Sequence, residues 1–184
     1  MERNIVVGIT GSIAAYKSCE IVRELKKKKW NVKVIMSENA TKFITPLTLE
    51  VLSQNKVYTD MFKRESNEEN HISLSEFASL ILIAPATANI IGKIASGICD
   101  DLLTCTVFAF RGPVIIAPAM NENMWKNEIV QENVKKLREK GYVFIGPEIG
   151  ELASGKEGIG RLAEIEKIVE KVEEVFEKWQ KKQM

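Results

Sequence analysis

The stretch that decides the fold is NIVVGITGSIAAYK, residues 4–17. Its first half is a short, continuous and largely β-branched run, Ile5-Val6-Val7-Gly8-Ile9, which is typical of a strand buried on both faces. The run passes directly into Thr10, Gly11 and Ser12, and a helical pattern follows. A buried strand followed by a small, flexible loop and a helix indicates a layered α/β fold.

The same strand signature recurs four more times, and helical patterns separate the strands. The further runs are residues 32–36, 80–84, 113–117 and 142–145, and the helical patterns cover 13–28, 86–96, 101–110 and 128–140. Apolar residues then repeat at helical spacing from 165 to 179 and predict a closing helix packed on the core. This alternation predicts a parallel sheet covered on both faces by helices. No shift in composition marks a second domain, so we expect a single domain over residues 1–184.

Composition describes an ordinary globular chain and excludes several classes of function. The chain has 184 residues, of which 45% are hydrophobic and 28% charged, and these values argue against disorder. A net charge of +1 lacks the overall basic excess of a nucleic-acid binder. No apolar run has the length of a signal peptide or a membrane span, and three cysteines without a CxxC pattern are typical of reduced thiols. We therefore expect a cytoplasmic protein with no nucleic-acid or membrane partner.

Candidates for ligand binding lie in the loops after the predicted strands, because such folds bind ligands at the carboxyl ends of their strands. Ser12 stands between the first strand and a helical pattern, where it can bind a phosphate or cap the helix. Ser37 follows the second strand and is explained by capping alone. Asn89 and Asn121 follow the third and fourth strands, where an amide can cap a helix or donate to a carboxylate or a flavin carbonyl. The first loop matches neither the P-loop GxxxxGK[ST] nor the GxGxxG fingerprint.

His71 is the only histidine of the chain, which restricts the chemistry open to it. A lone histidine argues against a histidine-based metal site, and we expect no metal. A histidine here can serve as a base near neutral pH, or it can be an ordinary surface residue. Taken alone, His71 favours the surface interpretation. Ser73 is the expected N-cap of a short helix over 74–78. Polar residues 58–70 predict an exposed loop, and glycine-rich residues 149–160 predict a flap.

Six motifs in a fixed order give the chain a specific resemblance. They are GSIAAYK at 11–17, MSENATKFITPLTLEVLS at 36–53, HISL at 71–74, PATAN at 85–89, APAMNENMW at 117–125 and LASGKEGIGR at 152–161. In this order they resemble the phosphopantothenoylcysteine decarboxylases, which belong to the homo-oligomeric flavin-containing cysteine decarboxylases. The resemblance implies a flavodoxin-like (Rossmann-like) three-layer sandwich that binds FMN and forms trimers or multiples of trimers. It also implies decarboxylation of 4′-phosphopantothenoylcysteine to 4′-phosphopantetheine in coenzyme A biosynthesis, with a separate synthetase as an expected partner.

The resemblance further implies roles for individual residues. It assigns FMN binding to Gly11, Ser12, Ile13, Ser37, Phe43, Thr87, Ala88, Asn89 and Ala119. It assigns substrate binding to Met120, Asn121 and Met124, and to Leu152, Ala153, Gly155 and Arg161 of a substrate clamp at about 149–161. His71 matches the catalytic base, and Ser154 stands where the family has a catalytic cysteine.

Two positions depart from the family pattern, and one of them affects the chemistry. Ile90 replaces the threonine that usually ends the flavin motif, and Ser154 replaces the clamp cysteine that serves as an acid. A serine hydroxyl is a far weaker acid than a thiol, whose pKa is about 8.5. The resemblance therefore implies loss of CO2 with poor completion of the reductive half-reaction. Two alternatives stay open: a peptidyl-cysteine decarboxylase that stops at the enethiol, and a non-catalytic flavoprotein regulatory subunit.

Overall fold

A six-stranded parallel sheet forms the centre of the molecule. The computed structural model describes residues 2–62 and 70–183. The sheet has the order β3-β2-β1-β4-β5-β6. Its strands are β1 Asn4–Ile9, β2 Asn31–Met36, β3 Val57–Tyr58, β4 Leu80–Ala86, β5 Val114–Pro118 and β6 Val143–Phe144. β1 lies in the middle, with Val6 opposite Lys33 of β2 on one side and Ile81 of β4 on the other.

All five strands predicted from apolar runs are present in this sheet, and the three further strands were not predicted. β3 is only two residues long, which is too short to leave a pattern in the sequence. β7 Glu148–Glu151 and β8 Glu157–Arg161 form an antiparallel hairpin in the stretch predicted as a flap. Of the polar stretch 58–70, predicted as a loop, residues 63–69 lie outside the described residues.

Eight α-helices are described, and two short 3₁₀ turns lie at the carboxyl edge of the sheet. The helices are α1 Ser18–Lys27, α2 Pro46–Ser53, α3 His71–Phe77, α4 Ala88–Ser96, α5 Leu102–Ala109, α6 Glu122–Lys126, α7 Glu128–Glu139 and α8 Ile165–Gln183. The prediction of one helix over 13–28 was wrong at its start, because Ile13–Lys17 is a 3₁₀ turn and α1 begins at Ser18. Ala40–Lys42 forms the second 3₁₀ turn.

Alternate residues of β1 separate the core into two layers. Ile5, Val7 and Ile9 are fully buried on the face covered by α1, α2 and α8. Val6 is fully buried on the opposite face, which α3, α4, α5 and α7 cover. Burial of each such side chain stabilises the fold by about 1.5–3 kcal/mol. The predicted three-layer sandwich is confirmed.

A polar contact joins the first strand to the last helix on the face of Ile5. The guanidinium of Arg3 donates to both carboxylate oxygens of Glu173, at 3.0 and 2.8 Å, and Nε1 of Trp30 donates to the same carboxylate at 2.6 Å. The ring of Phe176 meets that of Trp30 edge-on at 4.7 Å. These contacts fix α8 across β1. None of the helices described in residues 2–62 and 70–183 is long and apolar enough to cross a bilayer.

Candidate functional site

A cleft of about 680 Å³ opens at the carboxyl edge of the sheet. The turn after β1, the loop after β5 and the β7–β8 hairpin form its walls. Its lining includes nine of the residues assigned from sequence: Ser12, Ile13, Ala119, Met120, Asn121, Leu152, Ala153, Ser154 and Arg161. Three segments far apart in the chain thus meet where α/β folds bind ligands.

The turn after β1 is tight and lies against the loop after β2. Oγ of Ser12 accepts the N–H of Ala14 at 3.3 Å and so caps the 3₁₀ turn. A Cβ on Gly11 would stand 2.5 Å from Cβ of Asn39, so only glycine permits this approach. Ser37 donates its N–H to the carbonyl of Ile9 at 2.9 Å, and its Oγ accepts from Ala40 at 3.3 Å. Ser12 therefore caps its turn and borders the cleft. The expectation that Ser37 is an N-cap was wrong, because Asn39 holds that position and Ser37 bonds the turn from two residues earlier.

The loop after β4 is tied to the loop after β1 through Thr10. Oγ1 of Thr10 donates to the carbonyl of Pro85 at 2.7 Å and accepts the N–H of Thr87 at 3.0 Å. Thr87 in turn caps α4, because its Oγ1 accepts from Ile90 at 3.4 Å. The cap is therefore Thr87 and not Asn89, whose exposed amide makes no hydrogen bond with the described residues.

The loop after β5 carries Asn121 in a defined orientation. Its Oδ1 accepts the N–H of Asn123 at 2.8 Å and caps α6. Nδ2 makes no hydrogen bond with any described residue, and Asn121 lines the cleft. Asn121 is thus both a helix cap and a free amide donor. Met124 is half exposed, and Trp125 beside it is buried in the core.

The hairpin brings Ser154 to the cleft. Ser154 is exposed in the turn between β7 and β8, where Gly155 has a φ of +74° and donates its N–H to Leu152 at 2.8 Å. The N–H of Met120 donates to the carbonyl of Gly160 at 3.0 Å, which joins β8 to the loop after β5. Arg161 is held by Glu164 at 2.5 Å. Ser154 and Asn121 consequently border one cavity.

His71 begins α3 and lies apart from this cleft. The side chain of Asn70 accepts from the N–H groups of Ile72 and Ser73, at 2.9 and 3.1 Å, so the predicted cap at Ser73 was wrong. Ser73 is the third helical residue and completes a capping box, because its Oγ accepts the N–H of Asn70 at 2.9 Å. Nδ1 of His71 is buried and has no hydrogen-bond partner among the described residues. α3 packs on the face of Val6, whereas the cleft is bounded by the turn that leads into α1.

Several assigned residues do not line the cleft. They are Gly11, Ser37, Phe43, His71, Thr87, Ala88, Asn89, Met124 and Gly155. Most of them follow β1, β2 or β4 at the same edge of the sheet, and Phe43 is 47% exposed there. Within one chain the cleft therefore brings together Asn121 and Ser154 but not His71.

Sequence reasoning missed residues that act through tertiary contacts. Thr10 is buried and bonds residues 75 and 77 positions away, and no local signal marks that partnership. Tyr16, Lys17 and Glu151 also line the cleft. Lys17 lies within the GSIAAYK motif, so its position after the first strand was the available signal.

Comparison with known proteins identifies the class to which the chain belongs. The model of the Flavoprotein family matches residues 1–177, and the chain is a member of that family. The probable phosphopantothenoylcysteine decarboxylase of Streptococcus mutans is 41% identical over 95% of this chain and 99% of its own length. The coenzyme A biosynthesis bifunctional protein CoaBC of Bacillus subtilis is 47% identical over 95% of this chain, which spans 43% of that relative.

Solved structures agree with this assignment. A cysteine-to-serine mutant of PPC decarboxylase, complexed with pantothenoylaminoethenethiol, matches with a TM-score of 0.86 and 32% identity, over 96% of this chain and 100% of that chain. Further matching structures are named as FMN-binding or FMN-dependent proteins. The family and the flavodoxin-like fold expected from the six motifs are confirmed. The chain spans less than half the length of the bifunctional relatives that it matches.

Proposed function

We propose that this chain is an FMN-dependent decarboxylase that converts 4′-phosphopantothenoylcysteine to 4′-phosphopantetheine in coenzyme A biosynthesis. The observation that carries the proposal is the meeting of Asn121, Ser154 and Arg161 around one cleft beside the turn after β1. Full-length similarity to a probable phosphopantothenoylcysteine decarboxylase supports the choice of substrate.

The residues at the sheet edge fit a flavin mononucleotide. Gly11 leaves room where any side chain would meet Asn39, and the Ser12 hydroxyl beside it can donate to a phosphate. Ile13 and Ala119 give the cleft an apolar wall suited to a flat ring. Ser37, Phe43 and residues 87–89 complete the proposed binding set from the neighbouring strand ends. When bound, FMN supplies a reversible hydride acceptor for oxidation of the substrate thiol.

Asn121 is suited to hold the carboxylate that is lost. Because its Oδ1 already accepts the N–H of Asn123 and the residue lines the cleft, we expect its Nδ2 to donate to the substrate carboxylate. An oriented amide donor positions the scissile carboxylate without neutralising it, which favours departure of CO2. We expect the hairpin turn over the same cleft to cover the substrate, with Met120 in the cleft lining helping to exclude water.

His71 is suited to act as the base for the substrate thiol. A ring nitrogen of an imidazole can accept a proton from a thiol, and His71 is the only histidine of the chain. Because His71 does not line the cleft of its own chain, the proposed site needs a neighbouring copy to bring His71 together with Asn121 and Ser154. Leu47 and Val51, one turn apart on α2, are 67% and 69% exposed and suit such a contact. A trimer or a multiple of trimers is therefore part of the proposal.

Ser154 determines how far the reaction proceeds. Its hydroxyl occupies the exposed turn of the hairpin, where the resemblance implies the acid that completes reduction. The hydroxyl is close to a thiol in size but holds its proton much more tightly. We expect substrate binding and CO2 loss to be retained and protonation of the product to be slow. This feature also favours the second candidate, a peptidyl-cysteine decarboxylase that stops at the enethiol.

Two substrates separate these candidates. The protein is incubated with 4′-phosphopantothenoylcysteine or with a peptide ending in cysteine, and the products are identified by mass spectrometry. Decarboxylation of the first alone supports the proposal, and decarboxylation of the peptide alone supports the second candidate. Heating the protein and comparing the released cofactor with standards tests for FMN. Recovery of FAD, of a nicotinamide or of no cofactor would contradict the proposal.

The proposal also includes the location, the domain organisation and the metabolic partner of the enzyme. A cytoplasmic location agrees with three free cysteines, Cys19, Cys99 and Cys105. The domain assignment is one flavoprotein domain over 1–184, with residues of about 149–161 as the substrate clamp. A synthetase, either separate or joined as in the longer bifunctional relatives, is the expected metabolic partner.

A further inference from the structure

The second strand of the hairpin lies directly against the start of α6. A side-chain carbon added to the buried Gly158 would stand 2.7 Å from Oε2 of Glu122 and 2.9 Å from its Cδ. The carboxylate thus rests on the backbone of this glycine. Two residues further, Gly160 accepts the N–H of Met120 at 3.0 Å. β8 is therefore held both by α6 and by the loop between β5 and α6.

Glu122 interacts with its own helix and with the hairpin. Lys126, one turn further along α6, bonds Oε1 at 2.7 Å, and this ion pair is the main reason why the pKa of Glu122 lies below its usual range. The nearby backbone N–H of Ile159 adds a smaller part to the same lowering of the pKa. One ionised carboxylate, in contact with Gly158, therefore lies between a lysine of α6 and the backbone of β8.

We propose that Glu122 is a positioning residue that fastens the hairpin, and with it Ser154, beside Asn121. The path between the two site residues is short, because Asn121 precedes Glu122 and Ser154 lies in the turn that ends in β8. Without the carboxylate, β8 keeps its bond to Met120 but loses the contact between Gly158 and Glu122. The turn then samples more positions, and the substrate is held less tightly. The expected effect on turnover rests on the proposed function. The role of Glu122 in holding β8 does not depend on that function.

Hydrogen–deuterium exchange of the flavin-loaded protein measures how firmly β8 is held, and this measurement does not require turnover. In Glu122→Ala, amides of residues 157–161 should exchange about tenfold faster, because β8 loses its side-chain contact with α6 and opens more readily. Amides of β1 and β4 should keep their rates. Glu122→Gln should stay near the parent, because its side chain has the size of glutamate and still packs on Gly158. Glu128→Ala is the matched control, since Glu128 also begins a helix but is exposed and has no ion pair in the described part of the chain.

Three results would overturn the proposal. The first is unchanged exchange at 157–161 in Glu122→Ala, and the second is equal acceleration throughout the sheet. The third is exchange in Glu122→Gln as fast as in Glu122→Ala. Steady-state kinetics provide a second readout, in which Glu122→Ala raises KM more than it lowers kcat and Glu122→Gln restores KM. If the parent protein does not decarboxylate the substrate, the proposed function fails, and the exchange data still decide the role of Glu122.

Discussion

The hydroxyl of Thr10 accepts the backbone N–H of Thr87 at 3.0 Å, across 77 residues of sequence. The same hydroxyl donates to the carbonyl of Pro85 at 2.7 Å, so one buried side chain satisfies two backbone groups of the loop after β4. This contact sets the spacing between the loops after β1 and β4. The flavin residues assigned on those two loops therefore depend on a threonine that need not contact the flavin.

Thr10→Val should weaken FMN binding while leaving the sheet folded. Valine has the shape of threonine, but its side chain cannot accept the N–H of Thr87, and an unpaired buried group costs about 1–3 kcal/mol. The carbonyl of Pro85 keeps the backbone N–H of residue 10 as a donor at 3.3 Å. We expect the Kd for FMN, measured by flavin fluorescence, to rise about tenfold or more. Thr106→Val is the matched control, because Thr106 is equally buried and bonds Leu102 within its own helix. Equal FMN affinity of parent and Thr10→Val would contradict the role of Thr10.

Much of the fold could be predicted from the sequence because its signals are local. Four of the five predicted strands are mostly buried apolar runs, and a parallel strand covered on both faces leaves that trace without knowledge of its neighbours. The fifth, β6, lies at the edge of the sheet and is half-buried, but its run is also apolar. β3 was missed because two residues carry no period. β7 and β8 were missed because their glycines suggested an irregular loop, whereas Gly158 and Gly160 permit close contact with Glu122 and Met120.

The candidate site could be predicted only in part, because contacts between segments far apart in the chain leave no local signal in the sequence. Loops at strand ends were recognised, and motif resemblance assigned Asn121 and Ser154, which border one cleft. The cap of α3 was placed wrongly because Asn70 and Ser73 are both good capping residues and only the backbone geometry distinguishes them. The separation of His71 from the cleft was not predictable, because it depends on which face of the sheet α3 covers.

His71→Asn should abolish release of CO2 and leave FMN bound. Asparagine is close in size and keeps hydrogen-bonding capacity, but it cannot accept the thiol proton near neutral pH. Labelled CO2 released from carboxyl-labelled substrate measures the first half of the reaction, and flavin absorbance after gel filtration measures retention of the cofactor. Glu76→Gln, an exposed change on the same helix, serves as the control. Unchanged CO2 release by His71→Asn would return His71 to an ordinary surface role.

Glu173 should make the stability of the protein depend on pH. Burial acts to raise the pKa of Glu173, but hydrogen bonds from Arg3 and Trp30 outweigh burial and lower it overall. A carboxylate with a lowered pKa contributes stability above its unfolded pKa of about 4.3, and this contribution is lost as pH falls through the folded value. Glu173→Gln should therefore reduce the free energy of unfolding at pH 7 by about 1–3 kcal/mol.

Urea unfolding at pH 7 and near pH 3 measures this difference. The gap between the parent and Glu173→Gln should shrink at the lower pH, because this carboxyl then takes up a proton in the unfolded chain, which favours unfolding of the parent. Glu170→Gln, on the exposed side of the same helix, should show a small effect at both values. A gap that does not change with pH would assign the cost to packing instead of charge.

Replacing Ser154 by cysteine should increase formation of saturated product. Ser154 is exposed in the hairpin turn over the cleft, so the exchange of oxygen for sulfur needs no repacking of the core. A thiol with a pKa of about 8.5 donates a proton far more readily than a hydroxyl. The parent protein should release CO2 and accumulate the enethiol, which is two hydrogen atoms lighter than the saturated thiol. Ser154→Cys should convert the same substrate to 4′-phosphopantetheine at least about tenfold faster, a change of about 1.4 kcal/mol in the barrier.

The position of the thiol, and not its mere presence, should matter for this gain. Ala153→Cys places a thiol one residue earlier in the same turn and is the matched control, because it leaves Ser154 unchanged. Mass spectrometry under oxygen-free conditions separates the enethiol from the saturated product over time. Because CO2 loss precedes the step in question, parent and Ser154→Cys should release CO2 equally in a single turnover. Saturated product formed at the same rate by the parent and by Ser154→Cys would show that another group of the site donates the proton.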